Sequence, residues 1–275
     1  MNIQRISGAL GAEISGVDLS REISETVAAQ LRDAFLQHGV IFFRQQALKP
    51  AQFLQFARVF GQPVEYPFVK GIDGFPEIIE VKKLEHETVN FGGVWHSDTT
   101  YLPQPPMGTM LFAKEIPPYG GDTLFASQVA AYEALSDTMK RLLDGLKGIS
   151  SSAKADVSKT REDRIKSDGK SDGGAREFTA SHPIVRTHPE TGARALYVNV
   201  AHTIGIDGLS EAESRSLLNF LFEHQVRPEF TCRFRWQADS IAFWDNRAVL
   251  HNPVNDYHGF RRVLQRVTLA GSTPC

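Results

Sequence analysis

Cysteine is almost missing from this chain: of 275 residues only Cys232 and Cys275 are of that type. Two thiols, one of them at the last position, exclude a disulfide framework and the secreted scaffolds built on one. A basic excess is also lacking. The formal net charge is −2 and the isoelectric point is near 6.5, which argues against general binding to nucleic acid or to an anionic membrane. No apolar run reaches membrane-spanning length. The first residues, Met1-Asn2-Ile3-Gln4-Arg5-Ile6-Ser7-Gly8, contain no apolar stretch of the signal-peptide kind. Internal repeats are not evident. The expectation is a cytoplasmic protein without nucleic-acid or membrane partners.

What is present is mostly strand. A single domain over 1–275 is expected, since this length fits one large β-rich domain with inserted loops. Ser24 is a candidate N-cap for a helix through Gln37, with Val27, Leu31, Ala34 and Phe35 on one face. Pro50 suits the first turn of a second helix that carries Phe53, Phe56, Ala57 and Phe60 and stops at Gly61. A third helix is expected over about Ala130 to Leu146. A fourth runs over about Ser210 to Val226, with Leu217, Leu218, Phe220 and Leu221 on its buried side. Runs such as Val40-Ile41-Phe42-Phe43, Ile78-Ile79-Glu80-Val81, Met110-Leu111-Phe112-Ala113 and Thr123-Leu124-Phe125 read as strands. Pro183 to Arg186 and Ala195 to Val198 flank a turn and read as a hairpin. Phe230 to Trp236, Ser240 to Trp244 and Arg262 to Ala270 complete the set. Strands interleaved with peripheral helices predict a barrel or jelly roll, not a βαβ array.

One segment departs from this pattern. About 150–174 is rich in Ser, Lys, Asp and Gly and nearly free of large apolar residues. It reads either as a disordered surface insertion or as a lid that orders over the site when substrate binds.

The chemistry concentrates in three places: Val94-Trp95-His96-Ser97-Asp98, Trp244 to His251, and Arg261-Arg262-Val263-Leu264-Gln265-Arg266. His96 and Asp98 lie two apart, so on a strand both would project from one face. With the distant His251 they make the two-imidazole, one-carboxylate set that fills one face of an octahedral iron(II) and leaves the other open. Arginines on a following strand add fixed cations, as an anionic cosubstrate beside the metal would need. An iron(II)-dependent oxygenase follows from these residues. Two other classes use similar parts: a cupin-like zinc hydrolase or lyase, and a non-catalytic metabolite-binding barrel.

The chain resembles the taurine/2,4-D dioxygenase family of 2-oxoglutarate-dependent iron(II) enzymes over nearly its whole length. The resemblance runs from Leu10-Gly11-Ala12-Glu13-Ile14-Ser15-Gly16-Val17-Asp18-Leu19 through Trp95-His96-Ser97-Asp98 and Gly120-Gly121-Asp122-Thr123. It continues through Val185-Arg186-Thr187-His188-Pro189 to Trp244-Asp245-Asn246-Arg247 and Arg262. It implies a mainly β fold with flanking helices, a double-stranded β-helix (jelly roll). It also implies Fe(II) and O2, with 2-oxoglutarate as cosubstrate, and a homo-oligomer, dimer or tetramer.

Residue by residue, the resemblance makes His96, Asp98 and His251 the iron ligands. Arg262, eleven positions after His251, becomes the anchor for the distal carboxylate of 2-oxoglutarate, which a guanidinium can grip through two nitrogens. Thr123 completes that anchor, and Trp244 forms an aromatic wall or a core residue. Arg266, four residues beyond Arg262 on the same face, suggests a small anionic organic substrate. Tyr66, Gly92, Thr99 and His202 would shape the rest of its pocket. Tyr66, Gly92 and His202 depart from the residues of the taurine enzyme, so taurine itself fits poorly. His188 reads as structural, and His38, His86, His182, His224 and His258 as ordinary polar residues.

Overall fold

The computed structural model describes residues 1–67, 69–90, 92–154 and 177–275. Its frame is an eight-stranded sheet. Strands β1 (Asn2–Arg5), β2 (Ala12–Ser15), β3 (Val40–Phe43), β4 (Pro63–Val64), β5 (Ile78–Lys83) and β6 (Gly108–Glu115) join β14 (Ile241–Asp245) and β16 (Arg262–Leu269). Their order is β1-β2-β3-β14-β6-β16-β4, with β5 also on β16. Every pairing is antiparallel except β2 with β3.

A smaller sheet faces it, made of β13 (Thr231–Phe234), β7 (Thr123–Ser127) and β15 (Val249–Pro253) in that order. Side chains alternate between faces along a strand, and both faces of the large sheet are covered. Val40, Phe42, Leu111, Ala242 and Leu264 point inward against Phe125, Phe234 and Val249 of the small sheet. Ile41, Phe43, Phe112, Ile241 and Phe243 point outward against two helices, α1 (Glu25–His38) and α2 (Pro50–Arg58). That double cover is why the whole of β3, Val-Ile-Phe-Phe, is buried. Stacked rings join the layers: Phe35 on Phe243 and Phe42 on Phe234, each pair with centroids 4.1 Å apart. Such pairs add about 0.5–1.5 kcal/mol beyond their burial. The result is the expected jelly roll with helical buttresses.

The helices begin where the caps predicted. Ser24 accepts the Val27 N–H at the start of α1, and Gly39, with φ 68°, closes it. Pro50 opens α2. The expected helix over 130–146 is instead two, α3 (Gln128–Glu133) and α4 (Asp137–Leu143). Ser136 accepts the Met139 N–H, so a new N-cap replaces the continuation of the first helix. In α5 (Glu211–His224) the buried residues are Ser214, Leu218, Leu221 and His224. Phe220, expected inside, is 43% exposed and stacks on His224. The hairpin forms as read, β10 (Val185–Thr187) against β11 (Arg194–Leu196). A third sheet joins β12 (Thr203–Ile206), β8 (Lys147–Ser151) and β9 (Thr179–Pro183). Ser150 and Ser151, at the start of the polar segment, are thus buried strand residues. Positions 155–174 of that segment lie outside the described residues. No helix among the described residues is long and apolar enough to cross a membrane, and both cysteines are free.

A buried ion network ties the frame together. Asp245, at the end of β14, accepts from Arg247 Nε and Nη2, both at 2.7 Å, and from His188 Nε2 at 2.9 Å. Backbone N–H groups of Glu190 and Thr191 donate to His188 Nδ1, so Nε2 carries the proton and His188 is structural. Glu190 is shared between Arg247 and Arg32 of α1. Burial alone would raise the Asp245 carboxyl, but the hydrogen bonds from Arg247 and His188 bring it down to about 2. A depressed carboxyl stabilises above its unfolded value, near 3.8, and stops doing so as pH falls through 2. The contribution at stake is about 2 kcal/mol. Asp245→Ala should cost about 3–5 kcal/mol at neutral pH, because it strands a buried arginine. Urea denaturation measures this, and the gap to the parent should narrow by about 2 kcal/mol between pH 5 and pH 2. Equal stability of the two proteins at neutral pH would contradict the role given to this network.

Candidate metal centre

The three candidate ligands meet where the loop before β6 touches β15. His96 and His251 exchange backbone hydrogen bonds in both directions, at 3.0 and 2.8 Å, and form an isolated bridge. Their rings lie 4.1 Å apart between centroids. Asp98 follows in a turn, so the two-residue spacing does not act through a strand as expected. The turn still brings Asp98 Oδ1 to 3.8 Å from His96 Nε2. One ligand atom from each of the three residues lies within 4.8 Å of the others, and all three residues are buried. Thr99 takes φ 44° directly after them, an unusual conformation for a β-branched residue and one often found at functional sites.

Each ligand candidate is oriented from outside. His96 Nδ1 lies 2.7 Å from the Val94 carbonyl, so Nδ1 carries the proton and Nε2 keeps its lone pair for a metal. Gly92 packs on the same ring with φ 69°, and a Cβ there would fall 2.8 Å from His96 Cε1. This position therefore seats the ring of a candidate ligand. The His251 ring lies 4.5 Å from that of Trp244, and its Nδ1 is buried without a hydrogen-bond partner. Asp98 Oδ2 accepts from Thr109 at 2.6 Å; Thr109 accepts from Asn246, and Asn246 accepts from Trp244 Nε1. Burial would raise the Asp98 carboxyl, but Arg266 above all, with the Thr109 hydrogen bond, holds the group well below the usual carboxylate range. Burial lowers both imidazoles, with Asp98 opposing. Two neutral imidazoles and a carboxylate are the states that bind a divalent metal.

The cosubstrate candidates converge on the same space. One cavity is lined by His96 and His251 together with Thr123, Trp244, Arg262 and Arg266. Arg262 is buried, and its Nε and Nη2 have no hydrogen-bond partner. Thr123 Oγ1 accepts from Trp236 Nε1 at 2.9 Å, which leaves its hydroxyl proton for a ligand. Gly121, with φ 68°, lets the backbone pass 3.2 Å from Arg262 Cδ, measured from where a Cβ would stand. A buried guanidinium with orphaned nitrogens beside a hydroxyl donor fits a carboxylate.

The remaining candidates divide. Arg266 Nη2 lies 3.1 Å from Asp98 Oδ2, and its Nε donates to Thr268 at 3.3 Å. Its guanidinium carbon is 4.9 Å from the centre of the Tyr66 ring. Arg266 thus pairs with a candidate ligand, yet Nη2 lacks a hydrogen bond of good geometry. Tyr66 and Thr99 line a second cavity of about 250 Å3, walled by Leu102, Pro106 and Leu269. His202 sits 6.0 Å from His96 between ring centroids and 3.0 Å from the Thr100 hydroxyl through Nδ1. Burial, with the neighbouring His96, pushes it down to about 3, so it is neutral. A third cavity, of about 220 Å3, borders α1 and α3, but its His188 and Asp245 are engaged with each other. Thr109, Trp236 and Asn246 have no role in the sequence reading: Asn246 lies inside the Trp244-Asp245-Asn246-Arg247 motif, whereas Thr109 carries no sequence signal.

The chain is similar to known proteins along most of its length. The profile of the taurine catabolism dioxygenase TauD, TfdA family matches residues 2–268. An alkylsulfatase of Acinetobacter baylyi is 36% identical, with 98% of this chain and 85% of that protein aligned. An alpha-ketoglutarate-dependent (2-oxoglutarate-dependent) sulfate ester dioxygenase of Pseudomonas putida is 34% identical, over 100% and 91%. The crystal structure of a taurine dioxygenase from Burkholderia xenovorans superposes with a TM-score of 0.84 at 37% identity, covering 99% of this chain and 92% of that one. By its profile, its relatives and its fold, this chain belongs to the TauD, TfdA family of dioxygenases.

Proposed function

We propose that this chain is an iron(II)- and 2-oxoglutarate-dependent dioxygenase that hydroxylates a small organic anion, with sulfate esters and alkylsulfonates as the favoured class. The observation that carries the reading is one cavity lined both by metal-ligand side chains and by a buried arginine with orphaned nitrogens. His96, Asp98 and His251 would hold the iron and leave positions open. Arg262 and Thr123 would take the far carboxylate of 2-oxoglutarate, with Trp244 as a wall. When bound, iron and cosubstrate supply the oxidation: one atom of O2 enters the substrate as hydroxyl, and 2-oxoglutarate leaves as succinate and CO2. A zinc hydrolase would have no use for the orphaned Arg262, and a passive binding barrel would keep the pocket but lose a metal ligand, whereas all three candidate ligands are present here.

The protein's own work is to position and to exclude water. Thr109 and Arg266 keep Asp98 ionised and fixed. Arg266 would take the substrate's anionic group through Nη2, over the Tyr66 ring. Thr99 lines the cavity beyond Tyr66, whose apolar walls would take a hydrocarbon tail, while Gly92 and His202 lie beside His96. A carbon bearing both a new hydroxyl and a sulfate ester collapses to an aldehyde and sulfate. The family resemblance to sulfate ester and alkylsulfate enzymes supports that class. The reading extends to one cytoplasmic domain over 1–275, with the polar segment that follows β8 as an insertion, in a dimer or tetramer; sedimentation velocity tests the assembly.

His96→Ala and His251→Ala should each abolish substrate-dependent succinate release and the binding of Mn(II) followed by electron paramagnetic resonance, in protein that melts cooperatively. Retained turnover in either variant would remove that residue from the ligand set. Arg262→Ala should raise the 2-oxoglutarate requirement, by about 2–4 kcal/mol of lost charge-assisted bonding, and Thr123→Ala should raise it by less. An unchanged requirement in Arg262→Ala rules out the anchor. A succinate-release screen should rank alkyl sulfates and longer alkylsulfonates above taurine, because the apolar walls beyond Tyr66 suit a hydrocarbon tail better than an amine. Taurine as the best substrate would show that this reading of the pocket is wrong.

A further inference from the structure

The face of β16 that carries Arg262 and Arg266 has a third cation opposite it. In the register of β5 against β16, Lys83 stands across from Arg262, Val81 from Leu264 and Ile79 from Arg266. Directly opposed residues share a face of the sheet, so Lys83 belongs to the cosubstrate side. It is only 3% exposed, and its Nζ has no hydrogen-bond partner.

One aromatic ring joins this lysine to the arginine. Lys83 Nζ lies 4.2 Å from the centre of the Tyr257 ring, and the Arg262 guanidinium carbon lies 5.9 Å from the same centre. Tyr257 is buried, and its hydroxyl donates to Asn90 Oδ1 at 2.6 Å, while Asn90 donates to the carbonyls of Pro253 and Val254. The ring is therefore held on both sides. A ring face attracts each cation but neutralises neither. Among nearby acids, Asp122 takes Arg233 and Asp256 takes the Gly121 N–H, while Glu87 accepts from the Leu84 N–H and attracts Lys83 without a hydrogen bond to its Nζ. Two buried cations flanking one ring repel each other unless an anion joins them.

We propose that Lys83 is a positioning residue of the cosubstrate anchor, a buried second cation that strengthens the hold of Arg262 on the far carboxylate of a 2-oxo dicarboxylate. The inference rests on the cosubstrate reading above and adds a residue to it. Lys83 acts through the field that it adds at Arg262 and through the ring that they share.

The test is calorimetric and needs no turnover. Mn(II)-loaded protein is titrated with 2-oxoglutarate and with 2-oxovalerate, which keeps the 2-oxo acid and the five-carbon chain but has a methyl for the far carboxylate. Lys83→Met keeps the unbranched stem and removes the charge. It should weaken 2-oxoglutarate on the order of tenfold and leave 2-oxovalerate unchanged, and Lys83→Arg should recover most of the loss. Equal weakening of both ligands marks a merely structural lysine and overturns the proposal, as does no weakening of either. Lys83→Gln, judged by the same two ligands, decides the matter if the methionine variant does not fold. If the parent protein itself fails to prefer 2-oxoglutarate to 2-oxovalerate, the anchor reading falls first and this inference with it.

Discussion

The candidate site depends on one backbone contact, the reciprocal pair of hydrogen bonds between His96 and His251. Residues 155 positions apart are fixed edge to edge by it, and neither imidazole could be aimed without it. The contact works because β15 is already set in the small sheet against β7, and because that sheet is pressed on the large one by Phe42, Phe125 and Phe234. Packing of the sandwich is thus converted into the position of two ligand rings. Asp98 needs no strand of its own, since the turn after the bridge delivers it.

The interior built around this contact carries more positive charge than acids to match it. Arg262 and Lys83 are buried with unpartnered nitrogens, and Arg266 has Asp98 alone as a charged partner among the described residues. Unpaired buried charges are costly, so a fold keeps them where ligands bring the missing anions. The network at Asp245 is the contrast: there arginines, histidine and carboxylates satisfy one another, and the role is structural. Satisfied charges hold this part of the frame, whereas the unpartnered nitrogens of Arg262 and Lys83 lie on the cosubstrate face of the sheet.

Much of this was readable in the residues alone. The strands, the hairpin and the caps at Ser24 and Pro50 follow local rules, and the spaced motifs pick out His96, His251, Thr123 and Arg262, which line one cavity, with Asp98 beside His96. What escaped depends on contacts between distant segments. The break at Ser136 turns on which hydrogen bond the serine makes, and Phe220 sits outward because His224 and Leu221 take the packing direction. Gly92 looked like a lost side chain, whereas its need for no Cβ appears only once the His96 ring is in place. Lys83 reads as one more lysine until the register sets it across from Arg262.

The central claim is that iron(II) and 2-oxoglutarate share the cavity between the His96, Asp98 and His251 side chains and Arg262. Visible absorption of the anaerobic protein tests it most directly, since iron(II) chelated by a 2-oxo acid gives a weak charge-transfer band. The account predicts a band that requires both iron(II) and 2-oxoglutarate, and that is missing when succinate replaces the 2-oxo acid. A protein that binds iron(II) yet shows no band at saturating 2-oxoglutarate would contradict it.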